Sequence, residues 1–483
     1  MTKTLNYAQD ICVRGFASKL FNATSVDRGI FCAPTGTGKT GFSRAIFNMY
    51  SKPFFNKEKV ARQMLKGVSL FLTPRIALTD QQSAAIKNFM IKGNHEVIAT
   101  MVVHSKTNTA NLGNTIRNFI IASHLNNEYP VIICTYQSAH HLYNMEFDVI
   151  VSDEAHNLVG DNEKHNAVIH ELDGTAKRVF LTATPKHLAE ENSKGFNNTE
   201  LYGEYMAKVS TAACIDHHLI VPPKMNFVVA TGAKEKEQTV VDLVTQVYQS
   251  HAEYNPKMPA KVLFAMNGTS DIITVQIHIE EIQKRTGAKV FTIYSKDNGG
   301  MGSIGNLSAE TRDDFFDSIA AHEGGAIICH YNILAEGMDV DGITGVVFMR
   351  IPNQTTTVQT VGRALRPYSL DRMADGLMNP IKSQRIKKDA LISVIVYNGD
   401  DDMKTTIGGI VKTLAKCGFE KQIEDAVITT TGQGIADGQQ TVVEDLEVFF
   451  DPAILIQEAL SSYNATTENG DDNLTEDEEF NEF

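Results

Sequence analysis

Three clusters of residues have the types and spacing for phosphate chemistry. The first, Ala33-Pro34-Thr35-Gly36-Thr37-Gly38-Lys39-Thr40, follows an apolar run, Gly29 to Cys32, and leads into a helix-compatible stretch, Gly41 to Tyr50. In that setting the backbone N–H groups of Thr35, Gly36, Thr37 and Gly38 cradle phosphates at a helix N-terminus. Lys39 adds a point charge for the β- and γ-phosphates, and the Thr40 hydroxyl can ligate Mg²⁺. The usual first glycine of this pattern is Ala33 here. The second cluster, Asp153-Glu154-Ala155-His156, begins 113 residues after Thr40 and ends a buried strand-like run, Val149-Ile150-Val151. Open α/β sheets place their ligands at such strand ends. One carboxylate, Asp153, can hold Mg²⁺ through water, and Glu154 can orient or activate an attacking water. The third cluster is Gln359-Thr360-Val361-Gly362-Arg363-Ala364-Leu365-Arg366. Two arginines three apart at a helix start lie on one face. Their guanidinium groups can neutralise a transferring phosphoryl group, a contribution of about 10³–10⁵ in rate. Together these residues imply hydrolysis of a nucleoside triphosphate.

The elements that must hold these clusters follow an alternating pattern. Apolar, strand-length runs occur at Ile30–Cys32, Ser69–Leu72, Val97–Val103, Val131–Cys134, Val149–Val151 and Val179–Leu181. The pattern restarts after about residue 210 with Asn226–Val229, Lys261–Ala265, Val290–Tyr294, Ala326–Cys329, Val346–Met349 and Ser393–Tyr397. Continuous apolar strands separated by helices mean parallel sheets covered on both faces. Two α/β domains are therefore expected, 1–205 and 206–400, with a linker signal at Val221-Pro222-Pro223. Residues 401–465 form a C-terminal extension, helix-compatible at Met403–Cys417 and Asp451–Tyr463. Residues 466–483 have the composition of a disordered acidic tail.

Composition bounds the rest. At 42% hydrophobic and 21% charged, the 483-residue chain has ordinary globular composition and the length for two to four domains. Its six cysteines are scattered without a CxxC pair, which suits a reducing compartment rather than a disulfide framework or zinc site. No signal peptide or membrane span is visible, so the cytoplasm is the expected location, that of the host if the chain is phage-encoded. The net charge of −14 is partly local, since eight acidic residues and no Lys or Arg lie within 466–483. One cleft can still be positive, so nucleic acid is not excluded as a partner. The acidic tail can mimic nucleic acid, recruit a protein partner, or only solubilise. The pairs His140-His141 and His217-His218 lack supporting metal ligands. Lys382, Arg385, Lys387 and Lys388 suit either a nucleic-acid contact or a solvated face.

The order AxTGxGKT, DEAH, TAT (Thr182-Ala183-Thr184), xxEGxD (Leu334 to Asp339) and QxxGRxxR across residues 33–366 resembles the superfamily 2 helicases. The resemblance covers most of the chain up to about residue 400. It implies two RecA-like domains with ATP and Mg²⁺ bound in the cleft between them. Lys39, Thr40, Asp153 and Glu154 match the first-domain motor positions. Gln359, Arg363 and Arg366 match those of the second domain, and Gly337 and Asp339 join the cofactor-binding set. Gln9, in Tyr7-Ala8-Gln9, stands where the family reads adenine. Thr73-Pro74-Arg75 and Cys134-Thr135-Tyr136-Gln137 stand where it contacts the nucleic-acid backbone, giving Pro74, Arg75, Thr135 and Gln137 as candidates; Ala265-Met266-Asn267-Gly268 is a weaker match. The QTVGRALRP form, TAT and DEAH look more like DNA-directed members than DEAD-box RNA helicases. They are similar to compact phage recombination and branch-migration helicases such as UvsW, and to the motor of type III restriction-like subunits. No nuclease carboxylate–lysine cluster is evident. The expected function is an ATP-dependent DNA helicase or translocase acting on forked, branched or single-stranded DNA. The alternatives are a duplex translocase, an RNA helicase, or an ATP-gated scaffold. Segments 104–128 and 367–390 are the candidates for a strand-splitting wedge.

Overall fold

The computed structural model describes residues 2–3, 5–54, 67–88, 90–91, 97–160, 163–172, 174–188, 194–230, 237–294, 312–331, 340–350, 354–373, 378–397, 403–416, 418–430 and 452–468. The chain divides between His217 and His218 into two units, each built on a seven-stranded parallel sheet.

The large sheet of the first unit contains β1 (Arg28–Cys32), β2 (Ser69–Thr73), β3 (Val97–Val103), β4 (Glu128–Thr135), β5 (Val149–Ser152), β6 (Lys177–Thr182) and β7 (Glu204–Lys208), and Thr2–Lys3 pairs separately with Met90–Ile91. They lie in the order β3-β4-β2-β5-β6-β1-β7. The central strands are mostly apolar, as expected of a parallel sheet covered on both faces: every residue of β2 and β5 is buried. Burying one such aliphatic side chain stabilises by about 1.5–3 kcal/mol. The helices that matter for the site are α1 (Tyr7–Phe16), α2 (Lys39–Phe54) and α3 (Ile76–Asn88). Asn6 caps α1: its side chain accepts from Gln9 N, and the Gln9 side chain accepts from Asn6 N, a reciprocal capping box.

The second unit contains β8 (Pro223–Ala230), β9 (Lys261–Ala265), β10 (Lys289–Tyr294), β11 (Ala326–Tyr331), β12 (Ile343–Phe348), β13 (Ala390–Tyr397) and β14 (Val427–Thr430). Their order is β10-β11-β9-β12-β13-β8-β14, the same permutation as in the first sheet. Helix α4 (Gln354–Ala364) packs on β12. In the C-terminal region, α5 (Met403–Lys416) packs against α6 (Pro452–Glu468), and β14 pairs with β8. Residues 401–430, which the sequence sets apart as an extension, thus supply the last strand of the second sheet. Most of the acidic tail, 469–483, lies outside the described residues. Among the described residues no helix is long and apolar enough to cross a membrane.

Candidate active site

The phosphate loop leaves β1 at Cys32 and enters α2 at Lys39. Gly36 and Gly38 have φ of 88° and 83°, the left-handed region that favours glycine. A Cβ on Gly38 would also meet Gln9 Nε2 at 2.6 Å. The N-terminus of α1 braces this loop: Asn6 Nδ2 donates to Thr37 O at 2.9 Å, and Gln9 Nε2 donates to Gly38 O at 2.8 Å. Gln9 therefore has both ends of its amide engaged within the protein, one in the helix cap and one on the loop. Thr37 Oγ1 donates to Pro34 O at 2.7 Å, whereas Thr35 Oγ1 is buried without a hydrogen bond. An orphaned hydroxyl beside glycine-rich backbone and a helix N-terminus fits a polyphosphate.

Asp153 and Glu154 follow β5 directly. Lys39 Nζ stands 3.9 Å from Glu154 Oε1, and His156 Nδ1 is 3.5 Å from Glu154 Oε2. The His156 ring also meets Thr182 Oγ1 at 3.4 Å and Thr184 Oγ1 at 3.5 Å, so the TAT segment touches the acidic motif as its position in the sequence suggests. Burial, reinforced by the Glu154 charge and partly offset by Lys39, raises the Asp153 carboxyl above its ordinary range. A divalent cation would reverse that cost. Gln82, on α3, links the two candidate cation ligands: Thr40 Oγ1 donates to Gln82 Oε1 at 2.8 Å, and Gln82 Nε2 donates to Asp153 Oδ2 at 3.5 Å. A hydroxyl and a carboxylate are the hard oxygen donors that Mg²⁺ takes together with phosphates and water. Glu154 itself is left-handed, with φ 49° and ψ 49°, a conformation that costs a non-glycine residue about 1–2 kcal/mol.

The candidate nucleic-acid contacts converge because β2 and β4 are neighbours, with Thr73 and Thr135 in register. Arg75 and Gln137 are exposed, Pro74 is half-buried, and Thr135 is buried. Between Thr135 and Gln137, Tyr136 turns inward, and its hydroxyl donates to Asp153 O at 2.6 Å.

In the second unit Gln359 and Arg363 lie one turn apart on α4, both 6% exposed. The sequence expectation of both arginines at a helix start needs correction. Helix α4 ends at Ala364, before Arg366, as Pro367 disfavours a helical residue preceding it. Lys387 closes that end, its Nζ donating to Ala364 O at 2.5 Å and Arg366 O at 2.6 Å. Lys387 and Arg385 are 1% and 2% exposed, so neither belongs to a solvated face. His330 is buried near the end of β11, with neither ring nitrogen hydrogen-bonded. Burial first, then the charges of Arg363 and Arg350, push it down to about 3, so it is neutral. Gly337 and Asp339 lie outside the described residues. Sequence reasoning missed Gln82, Lys387 and His330. None belongs to a motif used there, and only Lys387 had drawn notice, as part of a charge cluster.

Residues 2–187 match the family model described as "Type III restriction enzyme, res subunit", and residues 236–368 match "Helicase conserved C-terminal domain". A probable helicase of African swine fever virus, from a South African tick isolate, is 27% identical over 219 residues, covering 41% of this chain and 24% of that protein. The match thus spans about a quarter of the curated relative. Among solved structures, the ATP-dependent Type ISP restriction-modification enzyme LlaBIII bound to DNA aligns with a TM-score of 0.67 at 17% identity, over 96% of this chain and 33% of that one. A Saccharomyces cerevisiae Dbp5 variant bound to RNA and ADP BeF3 aligns with a TM-score of 0.52 at 14% identity, over 88% of this chain and 89% of that one. The shared architecture is a pair of RecA-like domains.

Proposed function

We propose that this chain, which carries the ResIII and Helicase_C domains of a superfamily 2 helicase, couples ATP hydrolysis to movement along DNA and to its unwinding or branch migration in replication, recombination or repair. The observation that carries the hydrolytic reading is Glu154, held between Lys39 and His156 at the end of β5, beside the Thr40–Gln82–Asp153 chain. In this reading the loop from Thr35 to Gly38 binds the phosphates and Lys39 pairs with the β- and γ-oxygens. Mg²⁺ held by Thr40 and Asp153 would neutralise charge on those oxygens. Glu154 orients the attacking water and accepts its proton. Gln359, Arg363 and Arg366 meet the γ-phosphate, with Gly337 and Asp339 completing the nucleotide contacts.

Movement follows if the two domains hold the polymer backbone with different strength before and after hydrolysis. Pro74, Arg75, Thr135 and Gln137 supply the first domain's grip. Contacts of this kind go to phosphates, so binding is sequence-tolerant and weakens with salt. The choice of DNA rests on the sequence forms of the motifs, and the LlaBIII structure was solved on DNA. RNA is the second reading, favoured by the RNA in the Dbp5 structure.

The test is ATP hydrolysis by wild type and Glu154→Gln with single-stranded, forked, four-way and duplex DNA, and with RNA. Stimulation by forked or four-way DNA, lost in Glu154→Gln, is the expected result. Stimulation by duplex alone would favour a translocase, stimulation by RNA alone would move the reading to RNA, and no hydrolysis would leave an ATP-gated scaffold.

A further inference from the structure

We propose that Tyr136 is the positioning residue through which bound nucleic acid controls hydrolysis, its hydroxyl holding the Asp153 carbonyl and so setting Glu154. This rests on the reading of Gln137 and Arg75 as polymer contacts and of Glu154 as the group that orients water. Tyr136 is the first residue after β4, with Thr135 before it and exposed Gln137 after it. Any strand bearing on Gln137 and on the neighbouring Arg75 loads the backbone that carries this ring. The ring itself is 1% exposed and reaches the acidic motif: its hydroxyl donates to Asp153 O at 2.6 Å, and the Ser152 side chain hydrogen-bonds the same phenol.

The contacted carbonyl is the significant one. It belongs to the peptide joining Asp153 to Glu154, and Glu154 occupies left-handed backbone space. The other side of Asp153 is fixed, since its N–H donates to Leu72 O at 2.9 Å within the sheet. A strained residue keeps its conformation only where its surroundings over-determine it. Here the Tyr136 bond restrains the carbonyl side of the Asp153–Glu154 peptide, whose N–H donates to Asp153 Oδ1 at 3.1 Å, and rotation of that plane would swing the Glu154 carboxylate away from Lys39 and His156. Burial, with Asp153 and Glu154 beside it, raises the phenol well above its ordinary 10, so it stays a protonated donor at any working pH. The path from exposed loop to hidden glutamate is therefore two covalent neighbours and one hydrogen bond.

Tyr136→Phe removes one oxygen and leaves the packing. The experiment measures ATP turnover by the full chain with and without saturating single-stranded DNA or RNA, ATP KM, and polymer affinity by fluorescence anisotropy. Wild type, Tyr136→Phe and Glu154→Gln are compared. The expected result for Tyr136→Phe is unchanged polymer affinity and ATP KM, a lowered basal rate, and a ratio of stimulated to basal rate reduced about tenfold, within the 5–150-fold span of a typical site-to-site coupling. A merely structural role would lower basal and stimulated rates in the same proportion, and that unchanged stimulation ratio overturns the inference while leaving the helicase reading standing. If no polymer stimulates wild type, the helicase reading itself fails and takes the inference with it.

Discussion

After β5 the Asp153 N–H donates to Leu72 O at 2.9 Å; at the matching point after β12 the Met349 N–H donates to Ala265 O at 3.0 Å. By strand register, then, Met349 and Arg350 occupy the places of Asp153 and Glu154. The two units share one strand permutation and differ in what they hold at this edge. In the first, two carboxylates, a lysine and a glycine loop surround a helix N-terminus. In the second, Arg350 donates to Met266 O at 3.0 Å and stacks 4.3 Å above the Tyr331 ring, with Arg363 and neutral His330 nearby. A common fold thus specifies where side chains emerge and leaves the chemistry to the residues placed there. The first edge suits phosphates, Mg²⁺ and a proton acceptor; the second offers fixed cations.

The division of labour can be broken from either side. Arg363→Ala should give the largest loss, lowering kcat about 10³–10⁵-fold in steady-state ATPase assays. ATP affinity should change far less, because the phosphate loop belongs to the other unit. Turnover within tenfold of wild type would mean that the second unit supplies no such cation. Glu154→Gln comes next, at about 10²–10⁴-fold, the usual range for a positioned acid–base group. ATP should still bind, measured directly with a fluorescent analogue, since the loop and Lys39 are untouched.

Lys387→Met probes how the second unit fixes its arginines. The Lys387 ammonium is pushed down to about 7 by burial, with Arg366 also lowering it and Asp341, Asp371 and Asp389 opposing. The unfolded chain holds that proton up to about 10.5, so between the two values the unfolded state binds more protons and wild-type stability rises with pH. The neutral amine still has two N–H groups for the Ala364 and Arg366 carbonyls, so the bonds survive when the buried charge goes. Lys387→Met lacks both effects. Urea unfolding at pH 7 and pH 9 should show the mutant less stable at pH 9 by about 1–3 kcal/mol, the cost of carbonyls left unpaired. The gap should be smaller at pH 7, and a gap independent of pH would contradict a buried titrating lysine.

What the sequence made legible follows from the same comparison. Twelve strands were visible because central parallel strands are apolar on both faces, as Leu70, Phe71 and Leu72 are. Within the two large sheets the strands missed are β7 and β14, edge strands as β3 and β10 also are, and Glu204 and Lys208 at the ends of β7 are exposed; the two-residue strands Thr2–Lys3 and Met90–Ile91, which pair with each other, were missed as well. Residues contiguous in a motif, Lys39 with Thr40 or Asp153 with Glu154, could be read directly. Gln82 could not, because its role depends on α3 bringing it between Thr40 and Asp153, 42 and 71 residues away. Lys387 read as surface charge for the same reason: only the fold shows that it ends α4.

The smallest expected effect separates the two units by acid. The second buries His251, whose Nε2 lies 2.9 Å from Ser393 Oγ, and His330; burial lowers both to about 3. Unfolded histidine takes its proton near 6.5, so between pH 6.5 and 3 the unfolded state binds more protons and these groups withdraw stability as pH falls. The first unit buries Asp148, which accepts from Tyr129 Oη at 2.6 Å and whose carboxyl burial raises. For a raised carboxyl the sign is opposite: its contribution is fully present below the unfolded value and is lost as pH rises. Hydrogen exchange, corrected for intrinsic rates and followed from pH 7 to pH 4.5, should therefore show β8, β11 and β13 losing protection before β2, β4 and β5. Earlier loss from the first sheet would mean that its buried carboxylates and their partners, not the neutral histidines of the second, govern acid sensitivity, and His330→Gln would then leave the order unchanged.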